Sequence, residues 1–155
     1  MSISILSEGM IDFLEILLKN QVEFLVCGGH AVGFHGYPRM TMDFDLLVKP
    51  SEENAKNLLV ALSEFGFGNV PELSKEVFCK RGTAFTLGVQ PNQIDLLTSV
   101  SSQDESEIFA NCVSGVLAGI ELKIISFEDL IRAKKEAGRL KDQLDLEELT
   151  KIQKH

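Results

Sequence analysis

The sequence predicts an α/β (α+β) fold in a single domain spanning 1–155, and three observations point there. A short apolar run, Phe24 to Cys27, stops at Gly28-Gly29. A polar and apolar alternation follows from Arg39 to Leu46, and stretches with apolar residues at helical spacing lie on either side of these runs. The length of 155 residues suits one ordinary domain, a 45% hydrophobic content is enough for a core, and there is no internal repeat, low-complexity tract or linker.

Met10, Phe13, Leu14, Leu17 and Leu18 mark an amphipathic helix over Gly9 to Asn20. Phe24 to Cys27 is then a buried strand closed by a glycine turn, and His30 to Gly36 a short helix that Pro38 ends. On an extended run from Arg39 to Leu46, Arg39, Thr41, Asp43 and Asp45 share one face, and Met40, Met42, Phe44 and Leu46 the other. Ser51 is a candidate N-cap for a helix from about Glu52 to Phe65. Extended segments are expected at Val77 to Lys80, Ala84 to Val89 and Gln93 to Leu97, joined by the turn formers Arg81-Gly82 and Pro91-Asn92. Gln103 to Asn111 suggests a short helix, and Val113 to Ile125 one or two strands broken at Gly119. Ser126-Phe-Glu-Asp129 resembles a capping box opening a helix to about Ala137, which Gly138 ends or loosens, and a last helix runs from Asp142.

Bulk properties narrow the function. No stretch approaches the roughly 20 apolar residues of a membrane span, and Met1 to Met10 lacks a basic flank before an apolar run, so a soluble cytoplasmic protein is expected, without a membrane partner. Cys27, Cys79 and Cys112 are odd in number and widely spaced, which favours reduced core residues over disulfides or zinc. His30 and His35 do not complete a zinc spacing with Cys27. Position in the loop places His30 near a ligand, His35 in a structural role and His155 at a loose terminus. A net charge of −8 repels bare nucleic acid, so any such substrate needs a local basic patch.

The chemistry gathers around three acids. Aspartates at i and i+2 of a strand aim the same way with Cα atoms roughly 6.5 to 7 Å apart, and Asp43 and Asp45 have this spacing. Such a pair suits magnesium, which prefers carboxylate oxygen. Asp95, in the apolar run Ile94 to Leu97, is the third candidate. An isolated Asp-Phe-Asp is otherwise a solvated strand face. The Gly28-Gly29 pair lies where backbone N–H groups can approach a phosphate, and it has neither dinucleotide-fold nor P-loop spacing.

From Gly28-Gly29 through Arg39-Met-Thr41-Met-Asp43-Phe-Asp45, the sequence resembles the signature of the DNA polymerase β-like nucleotidyltransferases. Asp95 matches their third acid. The Arg-x-Thr-x-Asp-x-Asp form and the tail from Glu128 to Asp142 look most like the stand-alone branch that includes abortive-infection (AbiEii-type) toxins. The resemblance implies a mixed β-sheet flanked by helices, with a C-terminal helical motif from about residue 126 packed on the same domain. It implies that Asp43, Asp45 and Asp95 bind two magnesium ions, with manganese as a substitute, and that Asp95 takes a proton from the acceptor hydroxyl. Gly28 and Gly29 would cradle the β- and γ-phosphates. Many members carry Ser at the second glycine, where its hydroxyl touches phosphate, whereas Gly29 leaves only backbone donors.

Five of the fifteen Lys and Arg residues fall between Arg132 and Lys141, a countercharge fit for a triphosphate. Helical periodicity groups Arg132, Lys135 and Arg139, while the resemblance favours Lys134, Arg139 and Lys141. A solvated helix with Arg132 paired to Glu128 or Asp129 is the plain alternative. Arg39 joins the site by sharing the aspartate face, and Thr41 contacts phosphate, orients an aspartate or simply favours a strand.

The implied reaction is attack of an acceptor hydroxyl on the α-phosphorus of an NTP with release of pyrophosphate. The acceptor could be a macromolecule such as a tRNA end, or a small molecule, and a homodimer could complete the cleft. Two rivals from other classes are an NTP-binding module without transfer and a toxin-like protein whose role is pairing with an antitoxin. No residue matches a base edge, so the choice of NTP is not encoded legibly.

Overall fold

The computed structural model describes residues 6–68 and 73–153; His155 lies outside them. Among these residues six strands form one mixed sheet in the order β3-β4-β2-β1-β6-β5, flanked by helices, as expected. The strands are β1 (Phe24–Cys27), β2 (Asp43–Val48), β3 (Ala84–Leu87), β4 (Gln93–Leu97), β5 (Val113–Leu117) and β6 (Ile120–Ile124). β1 runs antiparallel to β2 and parallel to β6, and β2 runs parallel to β4. Parallel neighbours need long crossovers. The β2 to β4 crossover carries α3 (Glu52–Leu62), α4 (Lys75–Phe78) and β3, after α1 (Glu8–Lys19) and α2 (Gly28–Phe34) earlier in the chain. α5 (Glu105–Asn111) precedes β5, and α6 (Phe127–Ala137) and α7 (Leu140–Gln153) follow β6.

Local chemistry starts α3 and α6 at the serines the sequence marks, and α1 at one it does not. Ser7, Ser51 and Ser126 each cap a helix by accepting from the backbone N–H of Met10 (3.2 Å), Asn54 (3.1 Å) and Asp129 (3.1 Å). α1 buries Met10, Phe13, Leu14 and Leu17, whereas Leu18, grouped with them by spacing, is 45% exposed. Buried Asn54 accepts from the Glu23 N–H (2.7 Å) and donates to the Glu23 and Lys49 carbonyls (2.9 Å each). This side chain ties α3 to the end of the β1/β2 pair remote from Asp45, so the strands bearing the acids are held at their base.

Three expectations change. The run from Arg39 is strand only from Asp43 onward, with 39–42 as loop and Met40 81% exposed. β1 ends at the Cys27↔Asp45 pair and β4 begins at Gln93↔Asp43, so no neighbouring strand is present upstream to hydrogen-bond it. Val77 to Lys80, expected as strand, falls at the helix α4, which buries Phe78 alone. The third helix is α-helical only to Leu62 and then passes into a π-helical turn over Ser63–Phe67, kinked at Gly66 (φ 107°). β5 and β6 split at Ala118-Gly119, both at positive φ. All three cysteines are free; Cys27 is buried, and Cys79 and Cys112 are half-buried. No helix among the described residues is long and apolar enough to cross a membrane.

Candidate active site

β1 passes into α2 without a loop, so the helix starts at Gly28, two residues before the expected start. Gly28 has φ +66°, and a Cβ there would collide with the Asp45 carboxylate, 2.8 Å from its Cγ. Glycine is required because the acid fills the space a side chain would take. A Cβ on Gly29 would lie 2.8 Å from Thr41 Oγ1 and 2.9 Å from Thr41 Cβ. No side chain caps this N-terminus, so the first N–H groups of α2 have no side-chain acceptor there.

On β2 the buried residues Phe44 and Leu46 alternate with half-buried Asp43 and Asp45. The parallel register sets Asp45 beside Asp95 on β4. Asp43, Asp45 and Asp95 can each offer an oxygen with all three within 4.8 Å of one another. Asp95 is oriented by the Thr86 hydroxyl (2.8 Å) and the Gln93 amide (3.0 Å), both donating to its Oδ1. Burial, then hydrogen bonding to Asp95 and the charges of Asp95 and Asp43, push the Asp45 carboxyl up to about 7, against a lowering pull from Lys141. Three crowded carboxylates fit a hard divalent cation, which would relieve the repulsion that otherwise keeps a proton on Asp45.

With its folded pKa raised, Asp45 favours the folded state most below about pH 4, and that contribution is lost as pH rises through about 7. A divalent cation such as magnesium, if held by these acids, would have to displace the proton. The rise in melting temperature on adding magnesium should therefore be small near about pH 5 and grow through about pH 7, and Asp45→Asn should flatten the trend. A magnesium shift independent of pH in differential scanning fluorimetry would count against this site.

The cations come from the end of α6 and the start of α7. Gly138 (φ 64°) caps α6 in the left-handed region, and its N–H donates to Lys134 O (3.1 Å). Because the helix breaks here, periodicity does not carry from Lys135 to Arg139. Lys134, Arg139 and Lys141 line a cavity of about 260 Å³ with Gly28, Gly29, Arg39, Thr41, Asp43 and Asp45. Lys135 is exposed and off this wall, and Arg132 pairs with Glu136 (3.4 Å) instead of Glu128 or Asp129.

Two acids that the sequence did not mark hold these cations. Asp142 and Asp145 are 0% and 1% exposed. Lys134 contacts both (3.1 and 3.0 Å), and Arg139 binds Asp142 (2.7 Å). Arg39 grips Asp145 through Nε (2.7 Å) and Nη2 (2.8 Å), in the two-toothed geometry that gives guanidinium–carboxylate pairs their directionality. Burial alone would raise the Asp145 carboxyl, but the bonds from Arg39 and Lys134 outweigh it and hold it below its ordinary value. The signal available in sequence was the i, i+3 acid pair just after Arg139 and Lys141.

Thr41 donates its hydroxyl to Asp43 O (3.0 Å), which braces the start of β2. His30, expected near the ligand, is not among the residues lining this cavity, though the charge of Arg39 reaches it. It is 7% exposed with its ring edge on Phe44, and burial, then Arg39, lower its pKa to about 4. His35 has a structural contact, Nε2 donating to Ile125 O (2.7 Å).

The contact between Gly29 and Thr41 gives a test. Gly29→Ser should weaken nucleotide binding about tenfold, because Cβ displaces Thr41 and with it the Arg39 to Met42 loop. Adding Thr41→Ala should make room and restore most of the affinity. Equal affinities for Gly29→Ser and wild type in calorimetry would refute the steric account.

No protein-family model matches the chain, and neither does any curated protein. Two solved structures share its fold. One is the antibiotic-resistance factor ANT(2'')-Ia in solution, at 16% sequence identity and a TM-score of 0.52, with 79% of this chain and 66% of that chain covered. Another is the crystal structure of an antigenic nucleotidyltransferase-like protein from Paracoccidioides brasiliensis, at 19% identity and a TM-score of 0.52, covering 95% of this chain and 77% of that chain. This chain thus spans 66% of the resistance factor's length. At these identities the likeness to both structures is one of fold.

Proposed function

We propose that the protein is a metal-dependent nucleotidyltransferase of the DNA polymerase β-like superfamily, moving a nucleoside monophosphate from an NTP to an acceptor hydroxyl with release of pyrophosphate. The observation that carries this reading is the convergence of Asp43, Asp45 and Asp95 within 4.8 Å, beside a glycine turn and a cation-lined cavity. The two neighbouring structures, named for antibiotic resistance and nucleotidyltransferase likeness, lend support at the level of the fold.

Asp43, Asp45 and Asp95 would hold two magnesium ions, or manganese in their place. When bound, these supply charge neutralisation for the phosphates and the attacking oxygen. The α2 N-terminus at Gly28 and Gly29 receives the β- and γ-phosphates through backbone N–H groups. Lys134, Arg139 and Lys141 offset the charge of the leaving pyrophosphate, and Arg39 holds the 39–42 loop against the site. Asp95, oriented by Thr86 and Gln93, accepts the proton of the acceptor hydroxyl. Thr41 acts by bracing Asp43.

Residues 1–155 act in this reading as one catalytic domain, with the helical motif from about 126 as its cationic wall. The Arg39-x-Thr41-x-Asp43-x-Asp45 form and the tail favour the AbiEii-type branch. On that reading the acceptor is a macromolecule, a tRNA end, and an antitoxin or a second subunit covers the cleft. Purified protein titrated with each NTP in magnesium should bind at least one of them. Offered tRNA, it should release pyrophosphate. Absence of binding for every NTP would overturn the assignment, and binding without pyrophosphate release for any acceptor would leave a nucleotide-binding module.

A further inference from the structure

A second cavity, of about 220 Å³, adjoins the first and is used by none of the roles above. The two have Gly28, Asp45, Lys134 and Arg139 in common, so they adjoin along these residues. Beyond that junction the wall changes character. Leu97 and Val100 line it at the end of β4, Ile125 after β6, and Leu130, Ala133 and Ala137 along α6. Ala133 and Ala137 are four residues apart on one helix face, and their short side chains leave width against the strand ends. Ser99 adds a hydroxyl, Cys27 a thiol and Asp142, already paired with Lys134 and Arg139, a carboxylate to this mainly apolar stretch.

We propose that this slot receives the nucleobase of the NTP whose phosphates occupy the polar cavity, a deepening of the nucleotidyltransferase reading on which it rests. A nucleoside triphosphate is a flat, largely apolar ring joined to a polyanion. It needs an apolar recess contiguous with a cationic one, and these two cavities supply that pair. The acceptor is the other group that must come near Asp45, but its hydroxyl has to reach Asp95. Asp95 is turned toward Thr86 on β3 and Gln93 and is on the wall of neither cavity. The slot under α6 therefore belongs to the donor. Contacts inside it are mostly non-directional, which makes discrimination among bases modest.

The test compares magnesium-ATP with magnesium tripolyphosphate, which lacks the base, by calorimetry on wild type, Ala133→Leu and Ala137→Leu. Leucine keeps the helix and fills the slot. Both variants should bind ATP about tenfold more weakly or worse, with tripolyphosphate affinity within about twofold of wild type. Retained tripolyphosphate binding also certifies that each variant folds, and the more exposed Ala137 serves if Ala133→Leu does not. Unchanged ATP affinity in a variant that binds tripolyphosphate overturns the slot. So does a loss of ATP affinity in Met40→Ala with none in the leucine variants, which would put the base on the exposed loop instead. Wild type that binds neither ligand refutes the nucleotidyltransferase reading itself, a separate failure.

Discussion

Asp43→Asn should lower the rate of pyrophosphate release on the order of a thousandfold or more while leaving the fold intact. Asp43 shares the acid cluster with Asp45 and Asp95, and the amide that replaces it keeps the shape but removes the charge a divalent cation needs. Removing one of three repelling carboxylates should also ease Asp45, whose raised pKa owes part of its shift to Asp43. The metal-free variant should therefore melt no lower than wild type, and the gap between lost activity and retained stability is the signature of a site residue. Wild-type turnover in Asp43→Asn would end the three-aspartate assignment.

The second large effect is expected at Asp145, and here stability and activity should fall together. Asp145→Ala removes both carboxylate acceptors of Arg39, leaving it only the Met40 carbonyl, and one of the two acids on Lys134. Stripping one partner from a buried pair costs about 3–5 kcal/mol, a drop in melting temperature on the order of 10 °C for a chain of this size. Replacing Arg39 and Asp145 together, by Met and Leu, should recover much of that stability, since packed apolar groups can substitute for a buried ion pair. It should not recover activity, because the 39–42 loop would lose its tether. Both Asp142 and Asp145 are held below their ordinary pKa, so the network's contribution is present at neutral pH and is lost as pH falls below about 4. A thermal melt of Asp145→Ala indistinguishable from wild type would show that the network is dispensable.

Much of the site was legible because its chemistry sits in local patterns. The apolar run stopped by two glycines, the Asp-x-Asp spacing, and a lone acid in the strand Gln93–Leu97 each announce themselves within a few residues. Serine caps behave the same way. The reading failed where the deciding neighbour is remote. Alternation from Arg39 to Met42 resembles a strand, but no partner strand extends past Asp43, and Met40 has no layer to cover it. His30 stands beside Gly29 in the chain, and its packing against Phe44 comes from a strand more than ten residues further on. Asp142 and Asp145 stand among the other acids of α7. Their burial follows from partners such as Arg39, 106 residues away, which no window of sequence displays.

That long tie bears on how the protein comes into being on the ribosome. The acids, the glycine turn and Arg39 all emerge before α7, but the residues that neutralise Arg39 and Lys134 arrive with it. A nascent or prematurely terminated chain ending before Asp142 would carry the three aspartates beside cations with no buried counterions, and so would lack a finished phosphate wall. If the proposed reading holds, a fragment truncated before Asp142 should release no pyrophosphate where the chain with α7 does.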